Sequence, residues 1–527
     1  MAKRVEADIL IIGSGPVGAA FARTLVEAGR EVLMVDSGIQ LSAKPGIHVK
    51  NAYIYQKYRN HFTPFVQGEL FKLSVPVSNA GVETLDPYAY WTPLSVSNNI
   101  NPDQDQNKNM PSAQAAYVVG GMGIHWTCAT PRLNSKLERW DFIPESEWDD
   151  LYRRAEALFM TNTNVFATSL RGAVIKKNVQ ELFQDRLDSN YPVQQLPVSG
   201  YRRLDNPDLV WWGGPSDILG PLLDMNQDAS QRFQIIPNLL AEKIIHKAGR
   251  VEYVEFQSLD PWEKIEIYAN DVIVAGGAIM TPQLLWNSDI FRGEESPLGH
   301  YLNDQPLAFT QVVLSKKIIK EIQSLEDYDE RMTNSHLAEE IPIPINDPDP
   351  TLWIPVQDGR PWHCQIHKDA FNYGELADNI DDRLVVDLRW FTMVEPTFEN
   401  CVTFSDKIQD IRGMPQPTFH YTIPEENAKI AHMMMDDMVE CALSIGGFLP
   451  SSPPQFLPAG ASLHYAGTYR MGTQNDNKCV VDPYSKVWGF DNLWLGGPGV
   501  FPTATAANPT LTAGAMAIRS ARKIATR

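Results

Sequence analysis

Four residues near the N-terminus have the types and spacing that bind the diphosphate of a dinucleotide. Gly13, Gly15 and Gly18 follow the apolar run VEADILII at residues 5–12, and Asp36 ends the next apolar segment. In a strand–turn–helix unit the first glycine makes the tight turn, the second admits the diphosphate to the helix N-terminus, and the third lets helix and strand pack. Asp36 would accept a hydrogen bond from a ribose hydroxyl, which disfavours NADP without separating NAD from FAD. The alternative is a glycine-rich turn with Asp36 as an ordinary cap.

A second glycine-rich stretch, VVGGMGIHWTCATPR at residues 118–132, has the features of a wall for a flat ligand. Its Gly-Gly and Gly-Met-Gly turns let the backbone pass close to a ring, because glycine has no side chain to hold the ring away. The turns also bring His125, Trp126 and Thr127 side by side. We expect this stretch to lie near the dinucleotide.

Apolar periodicity predicts the elements that position both stretches. Residues 5–12 predict a buried strand, 16–27 a helix and 31–35 a second strand, and residues 271–288 repeat the order of strand, Gly-Gly turn and helix. The other expected elements are a helix over residues 144–159, a sheet over 231–271, mixed sheet and loop over 309–455, a strand over 492–497 and a terminal helix from Pro509. The pattern predicts a doubly wound α/β arrangement assembled from the beginning, middle and end of the chain.

Composition and charge exclude several classes of protein. A chain of 527 residues is too long for one simple core, so two connected domains are expected. The net charge of −19 would repel nucleic-acid phosphate and anionic lipid, so we expect a neutral small molecule as ligand, with no nucleic-acid or membrane partner. The five scattered cysteines form no CxxC pair, which argues against a disulfide framework and against a metal site. Glu6 and Asp8 interrupt the apolar N-terminus, which argues against a signal peptide. We therefore expect a cytoplasmic location and not export.

Residues 65–116 have no sustained period and collect Pro, Asn, Asp and Gln, most densely in NPDQDQNKNMP at residues 101–111. The segment predicts a long loop excursion. It would serve as a lid or an assembly loop, and a merely solvated insertion is the alternative.

Several motifs resemble the glucose-methanol-choline (GMC) family of FAD-dependent alcohol oxidoreductases: GSGPVG at 13–18, GGAIMTPQLL at 276–285, LHYAGTYRMG at 463–472 and NPTLTAGAMAI at 508–518. Segments 367–391, 404–419 and 445–456, with VVGGM and HWTCATP, are similar to its pyranose-oxidising members. The resemblance implies a Rossmann-like FAD-binding domain from residues 1–64, 117–135, 200–308 and 457–527. It also implies an α+β substrate-binding domain with a large mixed or antiparallel sheet from 136–199 and 309–456, with 65–116 as the excursion.

The resemblance also implies roles for individual residues. His464 would be the general base that removes a hydroxyl proton, and Asn508 would orient the hydroxyl. The implied cofactor-binding residues are Gly13, Gly15, Gly18, Asp36, His125, Thr127, Ala278, Asn508 and Thr510. The implied substrate-binding residues are Gln365, His367, Asp369, Phe371, Tyr373 and Arg389. Without the resemblance, His464 is a core histidine in an apolar strand, Asn508-Pro509 is a helix N-cap followed by proline, and 365–373 is an edge strand with a turn.

The chain departs from the fungal members of the family at two places. Gly123 and Ile124 stand where those members have Ser-Thr before the His-Trp pair, and the matched histidine, His125, carries covalent FAD there. FAD is therefore expected either covalently bound through His125 or tightly held without a covalent bond. Tyr469 replaces a second histidine, which bears on the position that is oxidised.

The expected reaction is oxidation of a pyranose, or of the sugar of a glycoside, at C2 to a ketosugar, with hydride transfer to flavin N5. The reduced FAD would pass its electrons to O2, giving H2O2, or to a quinone. The alternatives are a glycoside 3-oxidase that acts at C3, a non-catalytic dinucleotide-binding protein and an NAD-linked dehydrogenase. A homo-oligomer is left open, and the fungal tetramer is not assumed.

Overall fold

The computed structural model describes residues 2–57, 61–62, 65–66, 70–74, 101, 103–105, 109–293, 295–334, 341–368, 380–449 and 452–527. The strands, in chain order, are β1 (Lys3–Ile12), β2 (Val32–Val35), β3 (Leu70–Lys72), β4 (Gln114–Ala116), β5 (Thr161–Asn162), β6 (Gln194–Gln195), β7 (Val198–Arg202), β8 (Val210–Trp212), β9 (Phe233–Ile236), β10 (Leu239–Lys247), β11 (Arg250–Leu259), β12 (Trp262–Val274), β13 (Leu307–Leu314), β14 (Thr351–Ile354), β15 (Trp362–His367), β16 (Val385–Thr392), β17 (Cys401–Gln409), β18 (Pro415–His420), β19 (Gly446–Phe448), β20 (Gln455–Phe456) and β21 (Leu493–Leu495).

The α-helices are α1 (Pro16–Glu27), α2 (Tyr53–Lys57), α3 (Glu145–Leu158), α4 (Leu170–Leu182), α5 (Pro215–Leu219), α6 (Gly277–Asn287), α7 (Lys316–Gln323), α8 (Tyr328–Asn334), α9 (Glu425–Ile445) and α10 (Thr510–Ala525). α1 has the predicted bounds, and α10 begins one residue later than expected. α9 lies inside the segment for which we expected only sheet and loop.

The first sheet is built around β1. Its strand order is β10-β11-β12-β1-β2-β9, and β21 lies beside β12. β1 pairs in parallel with β2 and β12, β2 pairs in parallel with β9, and β12 pairs in parallel with β21. β10 and β11 join this parallel sheet through antiparallel pairs. The predicted doubly wound α/β arrangement is confirmed, because its parallel strands come from the beginning, middle and end of the chain.

The segment 136–199, which we expected to belong to one domain, contributes residues to two hydrophobic cores. Apolar residues between Trp140 and Phe159, including those of α3, belong to the same hydrophobic cluster as β1, α1 and α10. The Phe159 ring lies so close to Gly514 of α10 that a Cβ at Gly514 would come within 2.5 Å of it. Residues from Leu170 to Val193 pack in the other core. The 136–199 segment, which we assigned entirely to the substrate-binding domain, therefore contributes its first part to the core of the dinucleotide domain.

The second sheet is antiparallel, with the order β19-β13-β16-β15-β14-β6 and with β20 also paired to β13. Along β15, Cys364 and Ile366 enter the hydrophobic core formed with α4 and α9. Because alternate residues of a strand point to opposite faces, Gln365 and His367 lie on the other face. Arg389 of β16 pairs opposite Gln365 on that same face. One face of the sheet is thus apolar, and the other is polar although it is buried.

The described parts of the 65–116 excursion are tied to the body of the protein. β3 and β4 pair antiparallel and close its base. The Asn101 amide donates to the Pro417 carbonyl (3.2 Å) and to Thr418 Oγ1 (2.8 Å) on β18. The remaining residues of the excursion, on which the lid and assembly interpretations depend, lie outside the described residues. No helix in the described part of the chain is long and apolar enough to cross a membrane.

Candidate active site

A cavity opens at the carboxyl ends of the parallel strands of the first sheet. Gly13 follows β1, Asp36 follows β2, Ala275 follows β12 and Gly497 follows β21 shortly after its end, and all four line the cavity. This edge of a doubly wound sheet is where ligands of the fold bind. The cavity therefore lies where the glycine fingerprint predicts a dinucleotide.

The fingerprint glycines occupy positions where a side chain has no room. Gly13 has φ of +107°, and a Cβ there would lie 2.5 Å from the Ala275 carbonyl oxygen. A Cβ on Gly18 would lie 2.1 Å from the Gly13 carbonyl oxygen, which makes Gly18 a packing residue of the turn and not a lining residue. Gly15 lines the cavity at the N-cap of α1, where helix N–H groups are available to a phosphate. The turn fits the diphosphate of a dinucleotide.

Asp36 is held in place by the same turn. One carboxylate oxygen, Oδ2, accepts from the Ser14 hydroxyl (2.6 Å) and the Ser14 backbone N–H (2.9 Å), and Oδ1 accepts from Gly38 N–H (2.8 Å). Burial raises the pKa of the Asp36 carboxyl, and these bonds oppose that shift. Arg412, which also lines the cavity, donates to the neighbouring Ser37 carbonyl (3.3 Å). Arg412 escaped the sequence analysis because it comes from the distant turn between β17 and β18.

The 118–132 stretch forms another wall of the cavity. Gly121–Ile124 is a turn of 3₁₀-helix, and its preceding residue, Gly120, donates its N–H to Ser14 Oγ (2.8 Å). Ser14 thereby connects this stretch to Asp36. Trp126 lines the cavity, and its indole N–H donates to the Gly213 carbonyl (2.8 Å). The predicted proximity of the two glycine-rich stretches is present in the structure.

His125 is buried beside this wall, between the lining residues Gly123 and Trp126, but does not itself line the cavity. Its Nε2 has no hydrogen-bond partner among the described residues. Burial lowers the pKa of His125 to about 4, so the imidazole is neutral near pH 7. Gly123 has no room for a side chain, because a Cβ there would lie 2.6 Å from the Pro16 ring. Thr127 is half-buried after Trp126 and is likewise absent from the cavity lining.

His464 does not itself line the cavity, but its sequence neighbours Leu463 and Tyr465 do, so it lies at the cavity rim. It belongs to an irregular segment and not to the strand we considered, and Leu463 has φ of +59°, an uncommon conformation for a branched residue. The His464 Nδ1 lies 2.7 Å from Oε1 of Gln305, while its Nε2 lies 3.2 Å from Nδ2 of Asn508. Burial lowers the pKa of His464 to about 3. The imidazole is therefore neutral and has one nitrogen directed at Asn508.

Asn508 does not cap α10. The helix begins at Thr510 with Pro509 as its N-cap, and both of these residues line the cavity. The Asn508 amide instead joins two domains: its Nδ2 faces His464, and its Oδ1 accepts from Gln365 Nε2 (2.7 Å). The Gln365 amide nitrogen also lies 2.7 Å from His363 Nε2. The structure thus brings together His464, Asn508 and Gln365, which the sequence analysis selected, and adds His363.

Two further residues hold the segment before Asn508, and the sequence analysis missed both. Gln305 Nε2 donates to the carbonyls of Thr505 (2.8 Å) and Ala507 (3.1 Å). Glu138 Oε1 accepts from the N–H groups of Ala506 (2.8 Å) and Ala507 (3.0 Å). Burial raises the pKa of the Glu138 carboxyl. Gln305 lies in the motif LNDQP, whose polar residues inside an apolar context were the available signal.

Of the remaining predicted substrate-binding residues, some lie within the described residues and some lie outside them. His367 and Arg389 are buried on the polar face of the second sheet; Gln365 pairs directly opposite Arg389 and precedes His367 by two residues on the same strand. Asp369, Phe371 and Tyr373 lie outside the described residues. Ala278 lines the cavity at the first turn of α6. No cluster of His, Cys, Asp and Glu that could hold a metal ion occurs within the ranges that the structure describes.

Tyr469 is not among the residues that line the cavity. Its ring is fully buried in the hydrophobic core of the first domain, packed so tightly on Gly499 that a Cβ there would come within 2.1 Å of it. The Tyr469 hydroxyl donates to the Gly496 carbonyl (3.0 Å). The substitution that we expected to bear on regiochemistry is therefore a packing residue behind the cavity.

Comparison with known proteins bears on the family of the chain. Two family models described as GMC oxidoreductase match residues 224–307 and 396–517. The chain is 36% identical to pyranose 2-oxidase of Emericella nidulans, over 98% of this chain and 92% of that protein. It is 32% identical to C-glycoside 3-oxidase of Microbacterium trichothecenolyticum, over 99% of this chain and 96% of that protein. The crystal structure of pyridoxine 4-oxidase from Mesorbium loti has the same fold, with a TM-score of 0.66, 13% identity and 99% of each chain covered. The chain belongs to the GMC oxidoreductase family of flavoenzymes, in the group that contains the pyranose 2-oxidases and C-glycoside 3-oxidases.

Proposed function

We propose that this enzyme oxidises a secondary alcohol of a pyranose, at C2, to a ketone, with FAD as its cofactor. The observation that carries the proposal is the pair at the cavity rim. His464 is half-buried and neutral, and its Nε2 lies 3.2 Å from the Asn508 amide nitrogen. The pyranose 2-oxidase relatives, which align with nearly the whole chain, support a sugar as substrate.

His464 and Asn508 act together on the reacting hydroxyl. Asn508 Nδ2 donates to the hydroxyl oxygen, and His464 Nε2 accepts the hydroxyl proton, so the carbon–hydrogen bond is held in one direction. Bound FAD supplies the acceptor for the hydride that leaves the same carbon. The alcohol thus loses a proton to the imidazole and two electrons with the hydride, and a ketosugar is formed. Desolvation at this half-buried position lowers the pKa of His464 and so keeps the imidazole neutral beforehand.

Gly13, Gly15, Asp36, Ala278 and Thr510 are the residues that would hold FAD, because all five line the cavity. The first turn of α10 also faces the cavity, so its partial positive charge favours negative charge on the flavin. Gly18 supports the turn from behind. Thr127 and Asn508 would contact the flavin from the neighbouring segments, as the family motifs imply.

His125 is the proposed point of covalent attachment for FAD. Its Nε2 is buried, neutral and without a hydrogen-bond partner in the described structure, so its lone pair is available for such a bond. Acid precipitation of the denatured enzyme tests the proposal: the yellow colour stays in the pellet if FAD is covalent. A colourless pellet over a yellow supernatant means that FAD is held without a covalent bond.

Two measurements test the reaction itself. Anaerobic mixing with D-glucose should bleach the oxidised flavin, whereas a non-catalytic dinucleotide-binding protein would stay yellow. NMR of the product should show a ketone at C2. Formation of peroxide in air, compared with reduction of a quinone without air, identifies the electron acceptor.

Oxidation at C3 of a glycoside is the second candidate. It is favoured by the C-glycoside 3-oxidase relatives, whose length this chain matches over 95–96%. The same His464 and Asn508 pair would serve either position, because regiochemistry depends on how the rest of the sugar is oriented. A C3 ketone from an aryl glycoside, together with negligible turnover of D-glucose, would exclude the C2 proposal.

A further inference from the structure

The side-chain amide of Gln305 is held in one orientation. Gln305 is buried, and its Nε2 donates to two backbone carbonyls, those of Thr505 (2.8 Å) and Ala507 (3.1 Å). A flipped amide would direct an oxygen at both carbonyl oxygens, which repel it. The amide oxygen, Oε1, must therefore be the atom that faces His464 Nδ1 at 2.7 Å.

This orientation determines which imidazole nitrogen of His464 carries the proton. An amide oxygen only accepts hydrogen bonds, so Nδ1 must carry the N–H that donates to it. In a neutral imidazole the other nitrogen, Nε2, then has the lone pair. Nε2 is the nitrogen that faces Asn508 at the cavity rim. The opposite tautomer would set the Nδ1 lone pair against that of Oε1 and would present Nε2 as a donor, which could not accept a proton.

We propose that Gln305 is a positioning residue that holds His464 in the tautomer whose Nε2 accepts the substrate hydroxyl proton. The proposal rests on the proposed function of His464 as the base. It assigns a role to Gln305 of the motif LNDQP, which lies 159 residues before His464 in the chain.

The partner of His464 Nδ1 is the uncharged amide of Gln305, and this affects how the rate of flavin reduction depends on pH. Near His464, the described titratable groups are His363 on β15, itself neutral because burial lowers its pKa to about 3, and Asp304, which precedes Gln305. The Asp304 carboxylate accepts from Gly460 N–H (2.9 Å) and from the Ser462 hydroxyl, whereas the two imidazole nitrogens face Gln305 and Asn508. Burial therefore acts on His464 without an opposing carboxylate at Nδ1, and its pKa is low.

The first test removes the amide. Gln305→Met keeps the side-chain length but frees Nδ1, so His464 can adopt both tautomers. Loss of the correct tautomer of a catalytic imidazole lowers rates by up to about 10⁴. In this variant the productive tautomer remains accessible, so the loss is smaller. We expect flavin reduction to slow about 10- to 100-fold, with FAD still bound. Gln257→Met is the matched control. Gln257 Nε2 also donates to two backbone carbonyls, at 2.8 and 3.2 Å, but no imidazole is among its partners. This control should reduce its flavin at the wild-type rate.

The second test adds a charge. In Gln305→Glu a carboxylate faces Nδ1, which stabilises the imidazolium and raises the pKa of His464 toward the range of about pH 5 to 8. Flavin reduction should then fall as the pH is lowered, whereas the wild type has no such acid limb. The base is lost wherever the added proton of the new pair resides. If it is on the imidazole, both ring nitrogens are protonated; if it is on the carboxyl, the carboxyl donates to Nδ1, and Nε2 carries the proton of the neutral imidazole.

The outcomes separate this inference from the proposed function. If His464→Ala abolishes flavin reduction but Gln305→Met stays within about threefold of the wild type, the positioning role is refuted and the base is retained. A flat pH profile for Gln305→Glu refutes it as well, and this measurement stands alone if Gln305→Met does not fold. If His464→Ala still reduces its flavin, the proposed function fails first.

Discussion

The rate of flavin reduction by substrate is expected to be independent of pH between about pH 5 and pH 8. Burial lowers the pKa of His464 to about 3, so only about 1% of the imidazole is protonated at pH 5, and less at higher pH. A histidine with the ordinary pKa of about 6.5 would be only about 3% neutral at pH 5, and its rate would fall about 30-fold. Because the pKa is depressed, the base is lost only below the range in which enzymes are usually assayed.

The assay is anaerobic stopped-flow mixing with saturating sugar at constant ionic strength, followed at the oxidised-flavin absorbance. His464→Ala should lower the rate by about 10² to 10⁴ at every pH in the range. His432→Ala, which alters an exposed histidine on α9, is the control and should behave as the wild type. An acid limb with an apparent pKa near 6.5 in the wild type would refute the reasoning from burial.

Three other predictions concern the residues that hold the site and the fold. Glu138→Gln should slow flavin reduction while FAD stays bound. An amide cannot accept from the N–H groups of Ala506, Ala507 and Asn134 together, as the carboxylate does. Normal kinetics in this variant would contradict the role of Glu138 in holding the segment before Asn508. Gly18→Ala should yield colourless protein, since its Cβ would lie 2.1 Å from the Gly13 carbonyl oxygen, whereas Gly447→Ala, which has open space, should bind FAD. Arg171→Met should destabilise the fold by about 3–5 kcal/mol in a denaturation experiment, because Arg171 is buried against Asp347 (2.8 Å). The exposed pair of Arg203 and Asp205 gives the control, and Arg203→Met should leave the unfolding midpoint unchanged.

The dinucleotide half of the fold was predictable because its constraints are local. A tight turn between β1 and α1 requires glycine at Gly13, and the crossing of helix and strand requires it at Gly18, so the spacing itself carries the information. The apolar runs of β1 and β2 are buried on both faces, which gives them the continuous hydrophobic pattern of parallel strands. The bounds of α1 agree with the prediction for this reason.

The helix α9 was predictable in principle and was missed. Its buried residues, Met434, Met438, Cys441 and Ile445, recur at intervals of three and four, which is the period of an amphipathic helix. Polar residues interrupt this pattern, and Asp437 is buried because Arg360 pairs with it (2.8 Å to Oδ2). In the sequence, Asp437 interrupts the apolar pattern of α9, and its distant partner Arg360 cannot be recognised. The buried ion pair therefore conceals the buried face of the helix from a sequence analysis.

The division of residues 136–199 between two cores could not be derived from periodicity. α3 is amphipathic whichever core it enters, and its partner surface comes from α10, more than 350 residues later. Which domain receives such a helix depends on tertiary packing alone, here on the close approach of Phe159 to Gly514.

The site itself shows why its supporting residues have the types they have. The segment before Asn508 is held from both sides of its backbone: Glu138 accepts from its N–H groups, and Gln305 donates to its carbonyls. A carboxylate can only accept, so it suits the N–H side, and its charge is stabilised by three such donors. The carbonyl side needs a donor, and an amide is the group that can donate there and still offer an oxygen to His464 Nδ1. A lysine or arginine would satisfy the carbonyls but would leave Nδ1 facing a cation. The requirement to fix Asn508 and the requirement to fix the tautomer of His464 therefore meet in one side chain, Gln305.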